Sequence, residues 1–104
     1  MSRPHADADV FRAIADPTRR RVLDLLKTGD KPVHEIARTV NTSGPTLTHH
    51  LNILRNVGLV RHHRAGRLRI YTLELQRLRE IVAWLARYEE LWRPRTAVVR
   101  RTAG

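Results

Sequence analysis

Between Val33 and Val57 two amphipathic helical patterns stand end to end, separated only by Asn41-Thr42, and this pairing narrows the folds open to the chain more than any other feature. In the first pattern Val33, Ile36, Ala37 and Val40 share one face. The second starts from Ser43 as N-cap and places Leu47, Leu51 and Leu54 at i, i+4 and i+7, with Ile53 and Val57 beside them and Pro45, Thr48, His49 and Asn52 opposite. Burying the leucine stripe therefore turns the small polar groups outward. Two short helices joined by a tight polar turn, the second offering hydroxyl and imidazole groups to solvent, predict a helix-turn-helix.

The flanking segments complete a small domain. Val10, Phe11 and Ile14 lie at helical spacing between Asp9 and Ala15, and Asp16-Pro17 then reads as N-cap and first residue of a second helix. That helix turns Val22, Leu23, Leu25 and Leu26 inward and stops at Gly29, followed by a turn over Gly29-Asp30-Lys31-Pro32. Beyond Gly58, the stretch Leu59–Tyr71 predicts two strands around Arg64-Ala65-Gly66-Arg67, with Leu68 and Ile70 alternating against Arg67, Arg69 and Tyr71. A last helix is expected from about Leu75 to Trp92. Its apolar residues, among them Leu78, Ile81, Val82, Trp84, Leu85, Tyr88, Leu91 and Trp92, cover more of the circumference than one small domain can bury. The expected fold is mainly α with a small β-hairpin, in the order α-α-α-α-β-β-α. Residues 1–8 form an N-terminal arm, 9–92 the domain and 93–104 a basic flexible tail.

Charge points to the partner. Twenty Lys and Arg against 10 Asp and Glu give a formal net charge of +10 over 104 residues, which favours a polyanion. Only Lys27 and Lys31 are lysines, and the planar arginine fork suits phosphate and guanine edges, although a GC-rich genome would also enrich arginine. With no cysteine, disulfides and thiolate chemistry are excluded. The only serines are Ser2 and Ser43, and neither a carboxylate pair nor a Gly-rich phosphate loop is evident, so no catalytic residue and no cofactor is assigned. No apolar run approaches the ~20 residues of a membrane span, and the first residues lack the apolar segment of a signal peptide; a cytoplasmic location is expected.

The blocks Ala15-Asp16-Pro17-Thr18-Arg19-Arg20-Arg21, Ser43-Gly44-Pro45-Thr46-Leu47-Thr48-His49-His50-Leu51 and Gly58-Leu59-Val60, followed by Arg64-Ala65-Gly66-Arg67 and Tyr71, together resemble the ArsR/SmtB family of bacterial regulators. The resemblance spans Asp9 to Trp92. It implies a winged helix-turn-helix that dimerises through its first and last helices, with the fourth helix in the major groove and the hairpin as a wing. Many members of that family are repressors released by a metal. The thiolate site of such sensors lies in or near the third helix, where this chain has Val33-His34-Glu35-Ile36-Ala37, and the site between paired final helices needs histidines beyond His63, the last one here. The chain is thus similar to the cysteine-free members, controlled by autoregulation, by another effector, or by a histidine site elsewhere.

Double-stranded DNA and a second copy of the chain are the expected partners. Ser43, Thr46, Thr48, His49 and Asn52 are the candidate DNA contacts on the fourth helix, weighed against an ordinary solvated face. His50 is assigned to a packed, hydrogen-bonded position. Arg64, Arg67 and Arg69 on the hairpin are candidates for phosphate or a narrow minor groove, weighed against charges that only protect strand edges. Arg19 and Arg20 are further phosphate candidates, because cations opening a helix oppose its macrodipole and so suggest another use. Val10, Phe11 and Ile14 with Trp84, Leu85, Tyr88, Leu91 and Trp92 are the candidate dimer interface. No metal site is assigned: His49-His50 on a helix and His62-His63 on a strand diverge, and His5-Ala6-Asp7-Ala8-Asp9 is the remaining option for nickel or zinc. A basic protein-interaction module is the rival reading. RNA binding finds few stacking platforms among two Trp, two Tyr and one Phe.

Overall fold

In the computed structural model, residues 9–93 are described, so the expected arm at 1–8 and the expected tail after Arg93 lie outside the described residues. The chain forms α1 (Val10–Ile14), α2 (Pro17–Leu26), β1 (Lys31–Pro32), α3 (Val33–Val40), α4 (Gly44–Asn56), β2 (Val60–Ala65), β3 (Leu68–Leu73), α5 (Leu78–Ala86) and α6 (Glu89–Trp92). The helix boundaries follow local chemistry. Asp9 caps α1 through the Phe11 amide at 2.8 Å, and Asp16 caps α2 through the Arg19 amide at 3.1 Å, with Pro17 next in line. Asn41, at φ 55, ends α3 in the left-handed conformation. Gly58, at φ 81, ends α4, where the Leu59 amide reaches back to Leu54 O at 3.0 Å.

The core forms where these helices meet. Val22, Leu23 and Leu26 of α2, Ile36 and Val40 of α3, and Leu47, Leu51 and Leu54 of α4 are all buried, closed on one side by Val10 and Ala13 of α1 and on the other by Val57, Leu59, Val60 and Tyr71. Each such aliphatic side chain stabilises the fold by roughly 1.5–3 kcal/mol relative to exposure. The β2–β3 hairpin turns at Gly66-Arg67, where the left-handed Gly66 (φ 67) stands first in the turn as a type II′ connection requires.

Four details depart from the expectations. The turn at Lys31-Pro32 is a third strand: it pairs antiparallel with β3, Lys31 opposite Tyr71 and Pro32 opposite Ile70, giving the sheet order β1-β3-β2. Two residues carry no periodicity, so this pairing comes from β3 rather than from local sequence. Within β3 the buried residue is Tyr71, while Leu68 is 43 % exposed, because the hairpin extends past the core and period two alone does not choose a face. Val10 faces the chain's own core at 1 % exposure and is not available to a partner. The last helix is two helices: after Ala86 the Arg87 and Tyr88 amides bond three residues back, to Trp84 O and Leu85 O, and α6 restarts at Glu89. Helical continuity draws mainly on packing, and neither α5 nor α6 contributes a buried residue.

Truncating the centre of this core has a direct cost. Leu54→Ala, at a position with 0 % exposure, should lower the unfolding free energy by about 2–5 kcal/mol with the m-value unchanged, measured by urea denaturation.

Candidate nucleic-acid interface

With Leu47, Leu51 and Leu54 held in the core, α4 presents Pro45, Thr48, His49 and Asn52 as one exposed ridge, and Thr46 is exposed beside it. Ser43 occupies the N-cap in extended conformation, but its side chain makes no capping hydrogen bond. The expected capping duty is therefore not performed, and the exposed hydroxyl stands at the positive end of a 13-residue helix.

The hairpin carries its cations on both strands. Arg64 of β2 is paired directly opposite Arg69 of β3, Arg67 sits in the turn, and all three are exposed. Like charges directly opposed on a ladder destabilise it, a cost that a bound anion would offset. Next to them, Arg61 forms an ion pair with Glu74 and is held by it.

Two contacts place the hairpin against α4. Arg55 Nη1 lies 2.7 Å from His62 Nε2, and the His62 ring tilts over Tyr71 with centroids 5.1 Å apart. Partial burial, then the Arg55 and Arg69 charges and His63, hold the His62 imidazole below its usual range, so it is a neutral acceptor for the guanidinium. Sequence reasoning missed Arg55. Its position near the basic C-terminal end of the helix was the available signal, but the partner seven residues on is defined only by the turn at Gly58.

Arg19 and Arg20 do other work than expected. Arg19 Nε donates to Ala13 O at 2.7 Å and Nη2 to Arg12 O at 3.2 Å, while Arg20 Nη1 donates to Ile14 O at 2.7 Å. Both cations thus cap the carbonyl end of α1, whose orphan carbonyls and negative dipole end favour them. This accounts for positive charge in the first turn of α2 without a phosphate. The Arg19 fork is committed to the protein; that of Arg20 remains exposed.

His50 is packed, with its side chain 13 % exposed and Nδ1 3.1 Å from Arg19 Nη1. The His49 and His50 rings are 5.9 Å apart and inclined at 52°, which is not a chelating arrangement. Among the described residues no group of three or more His, Asp or Glu is placed to hold a metal ion, and His5 lies outside them. Also among the described residues, no helix is long and apolar enough to cross a membrane.

Comparison with known proteins places this geometry. The model of the bacterial regulatory protein, arsR family, matches residues 16–62, from the cap of α2 to the middle of β2. The transcriptional repressor SdpR of Bacillus subtilis is 42% identical over 80 residues, which are 77% of this chain and 89% of SdpR. The crystal structure of the ArsR family transcriptional regulator RHA00566 superposes with a TM-score of 0.72 at 35% identity, covering 88% of this chain and 99% of that one. A homodimeric winged helix-turn-helix DNA-binding domain of Mycobacterium bovis, Mb0332, superposes with a TM-score of 0.63 at 28% identity, over 82% of this chain and 80% of that one. The protein described here is a winged helix-turn-helix transcriptional regulator and belongs to the ArsR family.

Proposed function

We propose that the protein is a repressor that binds a palindromic operator in double-stranded DNA as a homodimer, with α4 in the major groove and the β2–β3 wing on the backbone or in the minor groove. The observation that carries this reading is the division of cations and polar groups. Thr46, Thr48, His49 and Asn52 are exposed on the helix that docks in a groove in this architecture, and a set of exposed arginines, Arg64, Arg67 and Arg69, stands on the hairpin beside it. Repression is supported by the likeness to SdpR. Such a protein acts where the DNA is, in the cytoplasm.

The dimer is supported by what the terminal helices leave uncovered. Phe11 is 39 % exposed, Trp84 43 %, Leu85 36 %, Leu91 82 % and Trp92 57 %, with Val82 and Tyr88 beside them. Phe11 and Trp84 meet edge-on at 5.8 Å, so α1 and α5 join their exposed apolar residues in one surface, the kind of feature that marks an interaction site. A second copy on this face covers it and sets two recognition helices about 34 Å apart, one per half-site. Ile14 is partly covered by the core and contributes at the margin.

An operator contact and a phosphate contact differ in what their loss does. Thr48→Ala with His49→Ala should abolish discrimination between the operator and random DNA while leaving weak non-specific binding, measured by mobility shift on both. Equal losses on both DNAs would remove α4 from the reading surface.

Arg64→Ala with Arg67→Ala should weaken both DNAs similarly and make the dependence of log K on log salt shallower, by about one for each lost phosphate contact. An unchanged slope would take the wing off the DNA.

Leu85→Glu with Tyr88→Glu should give monomers or unfolded chain in sedimentation at micromolar concentration, with operator affinity falling although no DNA-facing residue has changed. A folded 12.1 kDa monomer of unaltered sequence that still binds tightly would defeat the dimer.

A further inference from the structure

The Arg19 guanidinium lies where three elements meet. Two of its nitrogens hold Ala13 O and Arg12 O at the end of α1, and Nη1 stands 3.1 Å from Nδ1 of His50 on α4. The Arg19 amide is bound by the Asp16 carboxylate, whose Oδ2 also lies 3.9 Å from His50 Nδ1. One side chain therefore ties the helix that bears Phe11 to the helix that bears Thr48, His49 and Asn52. Arginine has donors only, so His50 must offer an unprotonated Nδ1 and carry its proton on Nε2.

The charged and titratable groups facing His50 are Asp16 and Arg19, from the cap and first turn of α2, and His49 from α4 itself. Partial burial lowers the His50 pKa, Asp16 raises it, Arg19 and His49 lower it, and the net effect leaves it below the ordinary value of about 6.5. Burial by itself would raise the Asp16 carboxyl, but its bond from the Arg19 amide and the neighbouring His50 and Arg19 charges outweigh this and lower it. The joint is thus neutral histidine, charged arginine and charged aspartate near pH 7.

We propose that Arg19 is a positioning residue for DNA recognition, acting through His50: their bond holds the recognition helix at a set angle to α1, and a proton on His50 opens the joint. The proposal rests on the reading of α4 as the DNA-reading helix. A proton taken from solvent by Nδ1 removes the acceptor, sets two cations against each other and leaves Asp16 Oδ2 as the nearest partner. The sign follows from linkage. A histidine whose folded pKa lies below its unfolded value contributes stability that is full above the unfolded value and is lost as pH falls through it towards the folded one. The DNA-bound arrangement uses the closed joint, so acid also weakens specific binding. Positive charge gained elsewhere on the protein surface strengthens binding to any DNA and has the opposite sign, which the ratio to random DNA removes.

The test measures, by fluorescence anisotropy at constant ionic strength, binding to a duplex from immediately upstream of the protein's own gene and to a random duplex of equal length. As pH falls from about 8 through the His50 midpoint, read by NMR on the same protein, the ratio of the two affinities should fall on the order of tenfold in the full chain, the scale of losing one hydrogen bond to a charged group. His50→Asn, whose Oδ1 replaces Nδ1 as acceptor and does not titrate, should keep the high ratio across that range. Arg19→Lys, which keeps the charge but lacks the fork, should show a low ratio at every pH. A ratio independent of pH in the unaltered protein, or an unaltered pH profile in His50→Asn, overturns the proposal. No preference for the upstream duplex at any pH would count against the DNA-reading assignment, and the joint is then judged by NMR of the free protein. The His50 ring should titrate from the Nε2–H tautomer below its ordinary pKa, with the Ala13 carbonyl shift following the same midpoint in the unaltered protein and not in His50→Asn. An Ala13 carbonyl that ignores the His50 titration overturns the joint itself.

Discussion

The orientation of the polar ridge on α4 depends on the burial of one stripe, Leu47, Leu51 and Leu54, between α4 and the rest of the core. The helical repeat admits one solution: once those three leucines face inward, Pro45, Thr48, His49 and Asn52 must face outward. Hydrophobic burial is non-directional, but the helix converts it into an orientation for polar side chains. The same packing brings the C-terminal end of α4 to β2, where Arg55 and His62 meet, so the hairpin is fixed relative to the ridge by the same interface.

The arginines divide by environment rather than by sequence neighbourhood. Arg19 and Arg20 lie on the carbonyl end of α1, where two helix termini approach and the orphan carbonyls of one are met by cations from the next. Arg61 is paired with Glu74 and Arg77 bonds Val57 O at 2.8 Å, so these hold turns together. Arg64, Arg67 and Arg69 sit on a narrow projection where self-repulsion is not relieved by the ladder. Net charge alone thus overstates the surface available to an anion, since part of the +10 is used to close helix ends.

The last two helices are the reverse of the core. Leu78 and Ile81 pack partly on it, but α5 and α6 bury nothing fully, and their aromatic residues lie on an open face with Phe11. A five-residue α1 and a split final helix have little independent helical stability, since short helices rely on packing. The first helix is instead held at one end by the Asp9 cap and at the other by Arg19 and Arg20.

Much of this was legible in the residues. The helix-turn-helix, the cap at Asp16, the break at Asn41-Thr42, the stop at Gly58, the turn at Gly66 and the packed position of His50 follow from periodicity and turn chemistry, which act over a few residues and leave a local signature. What the tertiary structure alone decided are the relations between distant segments. The third strand at Lys31-Pro32 exists only because β3 offers it a ladder, the core-facing parity of β3 was chosen by the neighbours of Tyr71, and Val10 was drawn into the core while Phe11 was left out. The partners of Arg19 and Arg55 belong to the same class. A long charged side chain can reach any carbonyl or imidazole within several ångströms, and which one it meets is set by how helices pack, a quantity no local pattern contains.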